Sequence, residues 1–252
     1  MILHQLQEIN RERGSSETLR NESGLDFIWL AGLIDANGGF YISRGQSLSC
    51  EIKMHEKEVQ TLHFIKHFLG GSVNLRVGKK TYRWRLHKRV PLEKLLHQVN
   101  GSFQTKRLQT QFLNACQVSK ITPLASENLT LESAWLSGFF SGDGSFSIKM
   151  TAPYEPSASI SQAEKKILEK VAFLLGGKVY YDRSRNGWIW WIDLRRNRFL
   201  LDYLQNYSMN NPAKQARLKS MSRFLGYLER GLQKDPDSQA RLRHFVSLFQ
   251  KN

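Results

Sequence analysis

The sequence contains little cysteine, and the cysteines that it has are isolated. Cys50 and Cys116 are the only two among 252 residues, and neither belongs to a CxxC motif or to a cluster with histidine. A disulfide-stabilised scaffold and a structural zinc site are therefore disfavoured, and a reducing compartment is expected. The apolar run from Phe27 to Ile34 is far shorter than the roughly 20 residues that span a bilayer, so we expect no membrane partner.

Acidic residues are scarce relative to basic ones. The chain has 37 lysines and arginines against 22 aspartates and glutamates, which gives a formal net charge of +15. A surplus of this size favours a polyanionic partner and an association that weakens with salt. Four glutamates lie in the first 24 residues, so a secretory or transit peptide is disfavoured and the protein is expected to act in the compartment where it is made.

The strongest organisational signal is an internal duplication. The sequence WLAGLIDANGGFYI at residues 29–42 recurs as WLSGFFSGDGSFSI at residues 135–148, with six of the fourteen positions identical. A Leu-Gly-Gly triplet follows each copy at the same offset of 106, at residues 69–71 and 175–177. Landmarks in the same order indicate a duplicated domain. We therefore predict a leader at 1–24, a first half at 25–125, a linker at 126–130, a second half at 131–230 and a C-terminal helix or tail at 231–252.

Hydrophobic periodicity predicts the same elements in each half. A buried helix at 26–37, here called the motif helix, is apolar nearly all round, and the alternation after it indicates two strands around a turn at Gly45 and Gln46. A helix, a second hairpin and a further helix follow. The class is α+β, with antiparallel sheets covered by helices on one face. We expect Gly38 and Gly144 to end the motif helices in a left-handed conformation.

Basic residues concentrate in the predicted second hairpin of each half. Residues 72–89 contain seven basic residues and no acid, and residues 178–198 contain six basic residues against two acids. In the strand that ends the first segment, apolar residues alternate with Arg83, Arg85 and His87, so one face packs on helices and the other presents cations. Such a surface can lie in a major groove and donate hydrogen bonds to guanine. The alternative is an ordinary solvated face.

The repeated helices have the features of a close helix pair with a charged end. Small residues include Gly32 in the first copy and Gly138 at the matched position of the second, so two helix backbones can approach closely. Asp143 ends the second copy, where the helix dipole and the free carbonyls already carry negative charge. A cation should compensate this carboxylate. A divalent metal, held by the carboxylate, a neighbouring carbonyl and phosphate oxygens, would do so.

The doubled motif resembles that of the LAGLIDADG homing endonucleases and their maturase relatives. Residues 30–38 read LAGLIDANG and residues 136–144 read LSGFFSGDG. The resemblance implies a monomer of two pseudo-symmetric αββαββα halves, with the motif helices at the interface and saddle-shaped sheets over double-stranded DNA. It also implies Mg²⁺ bound by the acids that end the motif helices, hydrolysis of each DNA strand, and an intracellular, organellar protein from a mitochondrion or chloroplast.

The resemblance assigns the metal site by position. Asp143 becomes a metal-binding acid, with the carbonyl of Gly142 as its companion. The matched position in the first half is Asn37, where the family expects Asp or Glu, and Ala36 matches Gly142 as its companion in the metal site. Because Asn offers a neutral oxygen, metal affinity should fall. Asn37 leaves three interpretations open: an engineered change that traps uncut DNA, a strand-specific nickase, or a protein retained for RNA splicing.

Two further positions are carried over from the family. Members often place a Gln after the second strand of each half, which Gln162 matches, and a basic residue near the end of the fourth strand, which Lys88 and Arg195 match. Such a cation could polarise the solvent around the scissile phosphate or could equally act as a plain phosphate clamp. The first half leaves three candidates for the position of the Gln: Met54, His55 and Glu56.

The basic surface supplies the expected DNA contacts. Lys106 and Lys214, at matched places before the last helix of each half, are predicted to contact phosphates. The full predicted set is Lys53, Arg76, Arg83, Arg85, His87, Lys106, Lys149, Lys178, Arg183, Trp191 and Lys214. The expected function is a site-specific, intron-encoded, Mg²⁺-dependent DNA endonuclease. The alternatives are a maturase that binds intron RNA and, third, a DNA-binding regulator without catalysis.

Overall fold

The described chain forms two halves with the same order of elements. The computed structural model describes residues 24–44, 47–149, 151 and 154–251. The predicted leader, apart from Gly24, and the predicted turn at Gly45 and Gln46 lie outside the described residues. Within the described residues, no helix is long and apolar enough to cross a bilayer.

The bounds of the elements are as follows. The first half contains α1 (Phe27–Asn37), β1 (Gly38–Ile42), β2 (Leu48–His55), a 3-10 turn (Glu56–Glu58), α2 (Val59–Leu69), β3 (Ser72–Leu75), β4 (Thr81–Leu86), α3 (Arg89–Gln98) and α4 (Lys106–Ser119). The second half contains α5 (Trp135–Asp143), β5 (Gly144–Ile148), β6 (Pro156–Gln162), α6 (Lys165–Leu175), β7 (Lys178–Asp182), β8 (Gly187–Asp193), α7 (Phe199–Asn206) and α8 (Pro212–Glu229). The last described helix is α9 (Pro236–Lys251).

Each half contains one four-stranded antiparallel sheet. The strand orders are β1-β2-β4-β3 and β5-β6-β8-β7. Alternate side chains, such as the paired Ile52 and Trp84, are fully buried in the core. The predicted α+β class is confirmed, and each half extends the predicted αββαββα order by one helix, because two helices follow its fourth strand. The predicted linker 126–130 falls within the segment between α4 and α5, which has no helix or strand.

The Leu-Gly-Gly landmark marks a turn that only glycine accommodates well. Gly70 and Gly71 have φ values of 73° and 86°, and Gly176 and Gly177 have φ values of 75° and 92°. These values lie in the left-handed region, which side chains with a Cβ rarely adopt. A Cβ on Gly71 would also stand 2.6 Å from the carbonyl oxygen of Arg85. The repeat of these glycines therefore records the same sharp reversal from helix to strand in both halves.

The two motif helices, α1 and α5, touch backbone to backbone. A Cβ on Gly32 would overlap the carbonyl oxygen of Trp135, and a Cβ on Gly138 would overlap that of Trp29. This close approach confirms the role predicted for the small residues, and it explains why both helices are buried nearly all round. At its start, α1 is capped by Asp26, whose carboxylate accepts from two backbone amides of the first turn at 2.8 Å and 3.0 Å.

Gly38 and Gly144 follow the motif helices in an extended conformation, so the predicted left-handed caps are wrong. Their φ angles are −114° and −72°. Each chain passes directly from the helix into the first strand, so no left-handed reversal occurs. Space is what requires glycine here. A Cβ on Gly38 would stand 2.9 Å from the Cα atom of Ile34, and one on Gly144 would overlap the ring of Phe140.

Hydrogen bonds cross between the halves on both sides of the helix pair. The indole of Trp135 donates to Asp35 Oδ2 at 3.0 Å, and that of Trp29 donates to the carbonyl of Met209 at 2.9 Å. Asp35 also accepts from the Thr105 hydroxyl at 2.6 Å, which fixes the start of α4. Burial raises the pKa of Asp35 to about 6. These bonds hold the motif helices in one register.

Candidate active site and nucleic-acid interface

The ends of the two motif helices converge. Asn37 ends α1 and Asp143 ends α5, and both side chains are half-buried. The amide nitrogen of Asn37 lies 3.2 Å from the place that a Cβ on Gly142 would take, and the Cβ of Ala36 would overlap that place. The structure thus brings together the four residues that the resemblance assigns to the metal site.

One hydrogen bond and two nearby positive charges act on the Asp143 carboxylate. Gln162 Nε2 donates a hydrogen bond to Asp143 Oδ2. Burial raises the pKa of Asp143 to about 6, while the positive charges of Lys214 and Arg107 oppose this rise. The predicted need for a compensating cation is therefore met in part by two protein side chains.

Lys214 lies inside the site rather than on the open surface, and its predicted phosphate contact stays a prediction. Its ammonium group donates to the carbonyls of Gly142 at 2.7 Å and Phe140 at 3.1 Å, and it lies 3.6 Å from Glu58 Oε1. The carbonyl of Gly142 attracts this cation because it lies too close to the end of α5 to have a partner within the helix, whereas that of Phe140 also accepts from the backbone amide of Gly144. The Gly142 carbonyl therefore already accepts from an ammonium group, and its role as a metal ligand stays a prediction.

The first half uses Arg107 in the same way. Its guanidinium donates to the carbonyls of Gly38 and Asp35, both at 2.8 Å. Lys106, which the sequence pairs with Lys214, instead has an exposed side chain, and its backbone amide donates to Glu164 at 2.9 Å. Sequence reasoning missed Arg107. The available signal was a cation in the first turn of a helix, which the dipole of that helix disfavours unless the charge has another partner.

Sheet register identifies the first-half counterpart of Gln162. Gly38 pairs with Ile52 and Gly144 pairs with Ile160, so Gln162 corresponds to Met54, two residues beyond Ile52. Met54 is buried, and of the three candidates only this residue takes the matched place. His55 ends the strand and Glu56 begins the 3-10 turn that the second half lacks.

Lys88 and Arg195 lie far from the converging helix ends, so the structure does not bring them to the site, and their catalytic roles stay predictions. Strand β4 runs parallel to β1, because both pair antiparallel with β2, and its end is therefore remote from Asn37. Lys88 lies four residues beyond the row of Gly38, about 13 Å along the strand, and Arg195 lies about 16 Å beyond the matching row. The Arg195 guanidinium is paired with Asp193 at 2.8 Å.

The face of the first sheet that points away from the helices, here called its open face, carries several cations. Arg83 and Arg85 alternate with buried neighbours and each lie 3.4 Å from Glu51, a buried carboxylate on the adjacent strand. Lys53 Nζ lies 5.4 Å from the ring centroid of Tyr41. Sequence reasoning missed Glu51, an isolated acid on a cationic face. It orients the two guanidinium groups, as a carboxylate fork partner does.

The open face of the second sheet is neutral by comparison. Trp191 is half-buried there, next to the exposed Lys178, with which it pairs across β7 and β8. Alternation with the buried Phe146 and Ile160 places a set of serines on this face. The serines are Ser145, Ser147, Ser157, Ser159 and Ser161.

The remaining predicted contacts lie at the edges of the sheets. Arg76 and Arg183 follow β3 and β7 in the hairpin turns, and Arg183 is exposed. His87 is exposed just beyond β4. Lys149 follows β5 and forms an ion pair with Glu155 at 3.2 Å. Their contacts with nucleic acid stay predictions.

Comparisons with known proteins agree with this geometry. The model of the LAGLIDADG endonuclease family matches residues 30–118 and again residues 136–224. The probable intron-encoded endonuclease aI2 of Debaryomyces hansenii is 30% identical over 209 residues, covering 77% of this chain and 32% of the relative. The intron-encoded RNA maturase bI4 of Saccharomyces cerevisiae is 32% identical over 197 residues, covering 77% of this chain and 31% of the relative.

Solved structures show the same fold. The structure of I-SmaMI bound to an uncleaved DNA target in the presence of calcium ions has a TM-score of 0.71 at 16% identity, covering 88% of this chain and 98% of that one. The I-LtrWI LAGLIDADG homing endonuclease bound to target DNA has a TM-score of 0.71 at 13% identity, covering 87% and 96%.

The duplicated match of the family model covers most of the sequence, and the chain therefore belongs to the LAGLIDADG endonuclease family. Its relatives include proteins named as endonucleases and one named as an RNA maturase. The chain spans about a third of the length of the two curated relatives described above.

Proposed function

We propose that this chain is an intron-encoded homing endonuclease that binds a long asymmetric DNA site and cleaves one strand in preference to the other. One observation carries the proposal: the second half holds a carboxylate, an amide and a buried ammonium group around the end of its motif helix, whereas the first half has neither the carboxylate nor the glutamine at the matched positions. The second-half residues are Asp143, Gln162 and Lys214. Asn37 and Met54 take the positions matched to the first two, and Arg107, from a different position of the last helix of its half, contacts the carbonyls at the end of α1.

The donor set at the helix ends fits a hard divalent cation such as Mg²⁺. A carboxylate from Asp143, an amide oxygen from Asn37 and the carbonyl of Ala36 are oxygen ligands, which Mg²⁺ prefers. The described residues include no cluster of three or more acidic, histidine or cysteine side chains that could hold a metal alone. Mg²⁺ commonly binds through one or two carboxylates plus substrate phosphates, so DNA would complete the site.

Side chains of the protein would orient the Asp143 carboxylate and keep it ionised for metal binding. When bound, Mg²⁺ supplies charge stabilisation and a more acidic water at the scissile bond. Gln162 fixes the orientation of the Asp143 carboxylate through Oδ2. Lys214 places a positive charge beside the same carboxylate, which favours its ionised, ligand-competent form. Asn37 offers no negative charge, so the first half would hold a cation more weakly.

The cationic open face of the first sheet supports double-stranded DNA as the partner. Arg83 and Arg85, held by Glu51, present guanidinium donors suited to guanine N7 and O6. The chain would act as a monomer, because both halves of the site lie in one polypeptide. An organellar site of action follows the intron-encoded relatives.

A second function, intron RNA splicing without cleavage, is favoured by one specific observation. The relative with 32% identity is named as an RNA maturase, and the first half lacks the acid expected at position 37. The same cationic face could bind RNA phosphates.

Cleavage of a supercoiled plasmid that carries the joined exons flanking the parent intron separates these functions. With Mg²⁺, we expect open-circular product from the native chain and linear product from Asn37→Asp. Linear product from the native chain would refute the strand preference. No cleavage by either protein, together with tight and specific binding of the intron RNA, would establish the splicing function instead.

A further inference from the structure

Two glutamates at matched positions reach across the junction between the halves. Glu58 precedes α2 and Glu164 precedes α6, at the repeat offset of 106. Glu58 Oε1 accepts from the side-chain amide of Asn211 at 2.9 Å, and Glu164 Oε2 accepts from the backbone amide of Lys106 at 2.9 Å. Each carboxylate therefore lies at the start of a long helix of the opposite half, where a negative charge is favoured.

The two glutamates differ in what else they contact. Glu58 lies 3.6 Å from the ammonium group of Lys214, and the two side chains are only 17% and 12% exposed. Solvent screens such a pair much less than a surface pair. In the first half, Arg107 donates to two carbonyls, those of Gly38 and Asp35. The ion pair thus forms on the side of the molecule that carries Asp143.

Lys214 links this ion pair to the cleavage site. Its ammonium group donates to the carbonyls of Phe140 and Gly142, directly before Asp143. A lysine ammonium has three donors and no acceptor, and its burial costs free energy unless an anion lies nearby. Among the described residues, Glu58 is the carboxylate within ion-pair distance of Lys214.

We propose that Glu58, a residue of the first half, is a positioning residue for the cleavage site of the second half. It holds Lys214 against the last carbonyls of α5 and so fixes the end of the helix that carries Asp143. The inference rests on the proposed nuclease function. The first half would then complete the cleavage site around Asp143 in the second half, although its own matched positions hold Asn37 and Met54.

The test is Glu58→Gln, with Glu164→Gln as the matched control in the other half. Glutamine keeps an oxygen for Asn211 and removes the charge that faces Lys214. We expect the single-turnover nicking rate, measured on an end-labelled target duplex at saturating protein with Mg²⁺, to fall about tenfold, while the DNA dissociation constant stays within about twofold. Glu164→Gln should change neither quantity by more than about twofold, and Glu58→Asp, which keeps the charge, should lie between the native chain and Glu58→Gln.

A double variant shows whether Glu58 acts through Lys214. Adding Glu58→Gln to Lys214→Ala should cause no further loss of rate. An equal loss in both backgrounds, or a loss of affinity as large as the loss of rate, would overturn the inference. If the native chain nicks its target and Glu58→Gln nicks equally fast, the inference fails and the nuclease function stands. If the native chain cuts neither strand, both fail.

Discussion

The two halves place three different pairs of side chains around the ends of their motif helices, two of the pairs at matched positions of the repeat. The pairs, first half then second, are Asn37 and Asp143, Met54 and Gln162, and Arg107 and Lys214. Asn37 lacks the negative charge of Asp143, and Met54 lacks the polar amide of Gln162. Arg107 carries a planar guanidinium, whereas Lys214 carries a compact ammonium group. The two copies share the glycines that pack the helix pair, and they differ in the side chains at the ends of the motif helices.

On the open faces of the sheets, by contrast, the first half carries more charged side chains than the second. The first sheet presents arginines and a lysine around Glu51, while the second presents serines and Trp191 with few cations. Charged contacts dominate affinity for DNA, whereas hydroxyl and aromatic contacts add less and depend less on salt. Under the proposed function, we expect the first half to contribute most of the binding strength and the second half most of the cleavage.

The largest expected effect comes from removing the acid that the first half lacks. Asp143→Asn should lower the nicking rate by roughly 10³-fold, because the remaining oxygen is neutral and holds a divalent cation weakly. Affinity for the target duplex should stay within about twofold, measured by a gel shift with Ca²⁺ in place of Mg²⁺. A variant that cuts at the native rate would show that the second half is not the cleaving half.

The pH dependence of stability should reveal the same carboxylate. The pKa of Asp143 is raised to about 6 from 3.8, so the folded state binds more protons than the unfolded state between those values. Stability should therefore fall as pH rises from 4 to 6, by at most about 3 kcal/mol from this group. Urea unfolding in EDTA should show the native chain losing stability relative to Asp143→Asn over this range. An identical pH dependence of the two proteins would contradict the assignment.

Base recognition should depend on the first half more than on the second. Arg83→Ala should cost about 2 kcal/mol and relax preference at one position of its half-site, because an arginine pair to guanine is lost. Lys106→Ala, whose exposed side chain is predicted to contact phosphate, should weaken all targets alike and reduce the salt dependence. Competition binding against a library of single-base target variants measures both. Equal losses across every target for both variants would refute this division.

The two tryptophans that donate hydrogen bonds across the halves should differ in how much they contribute to the free energy of unfolding. Both acceptors keep other donors, Asp35 those of Gln104 and Thr105 and the Met209 carbonyl the Ser141 hydroxyl, so the difference rests on charge: Trp135→Phe removes a donor from a buried carboxylate and Trp29→Phe one from a neutral carbonyl. A hydrogen bond to a charged group contributes more, so Trp135→Phe should destabilise by about 1 kcal/mol more than Trp29→Phe. Chemical unfolding at pH 7 gives the difference, and the reverse order would contradict the hydrogen-bond account.

The sequence predicts the duplicated halves, the α+β class and the close helix pair, because these follow from local periodicity and from glycines at matched positions. It does not predict that Lys214 and Arg107 cap the motif helices, since each reaches its carbonyls from a helix about 70 residues away in the chain. The distance of Lys88 and Arg195 from the motif-helix ends has a topological cause. Because β4 runs parallel to β1, its beginning rather than its end lies near the motif helix.

Cleavage of the two DNA strands, followed separately, tests the central claim most directly. A target duplex labelled with a different dye at the 5′ end of each strand is mixed with excess native chain and Mg²⁺, and both products are resolved on a denaturing gel. The account predicts that one strand is cut at least about tenfold faster than the other and that Asn37→Asp narrows this ratio. Equal rates on both strands in the native chain would contradict it.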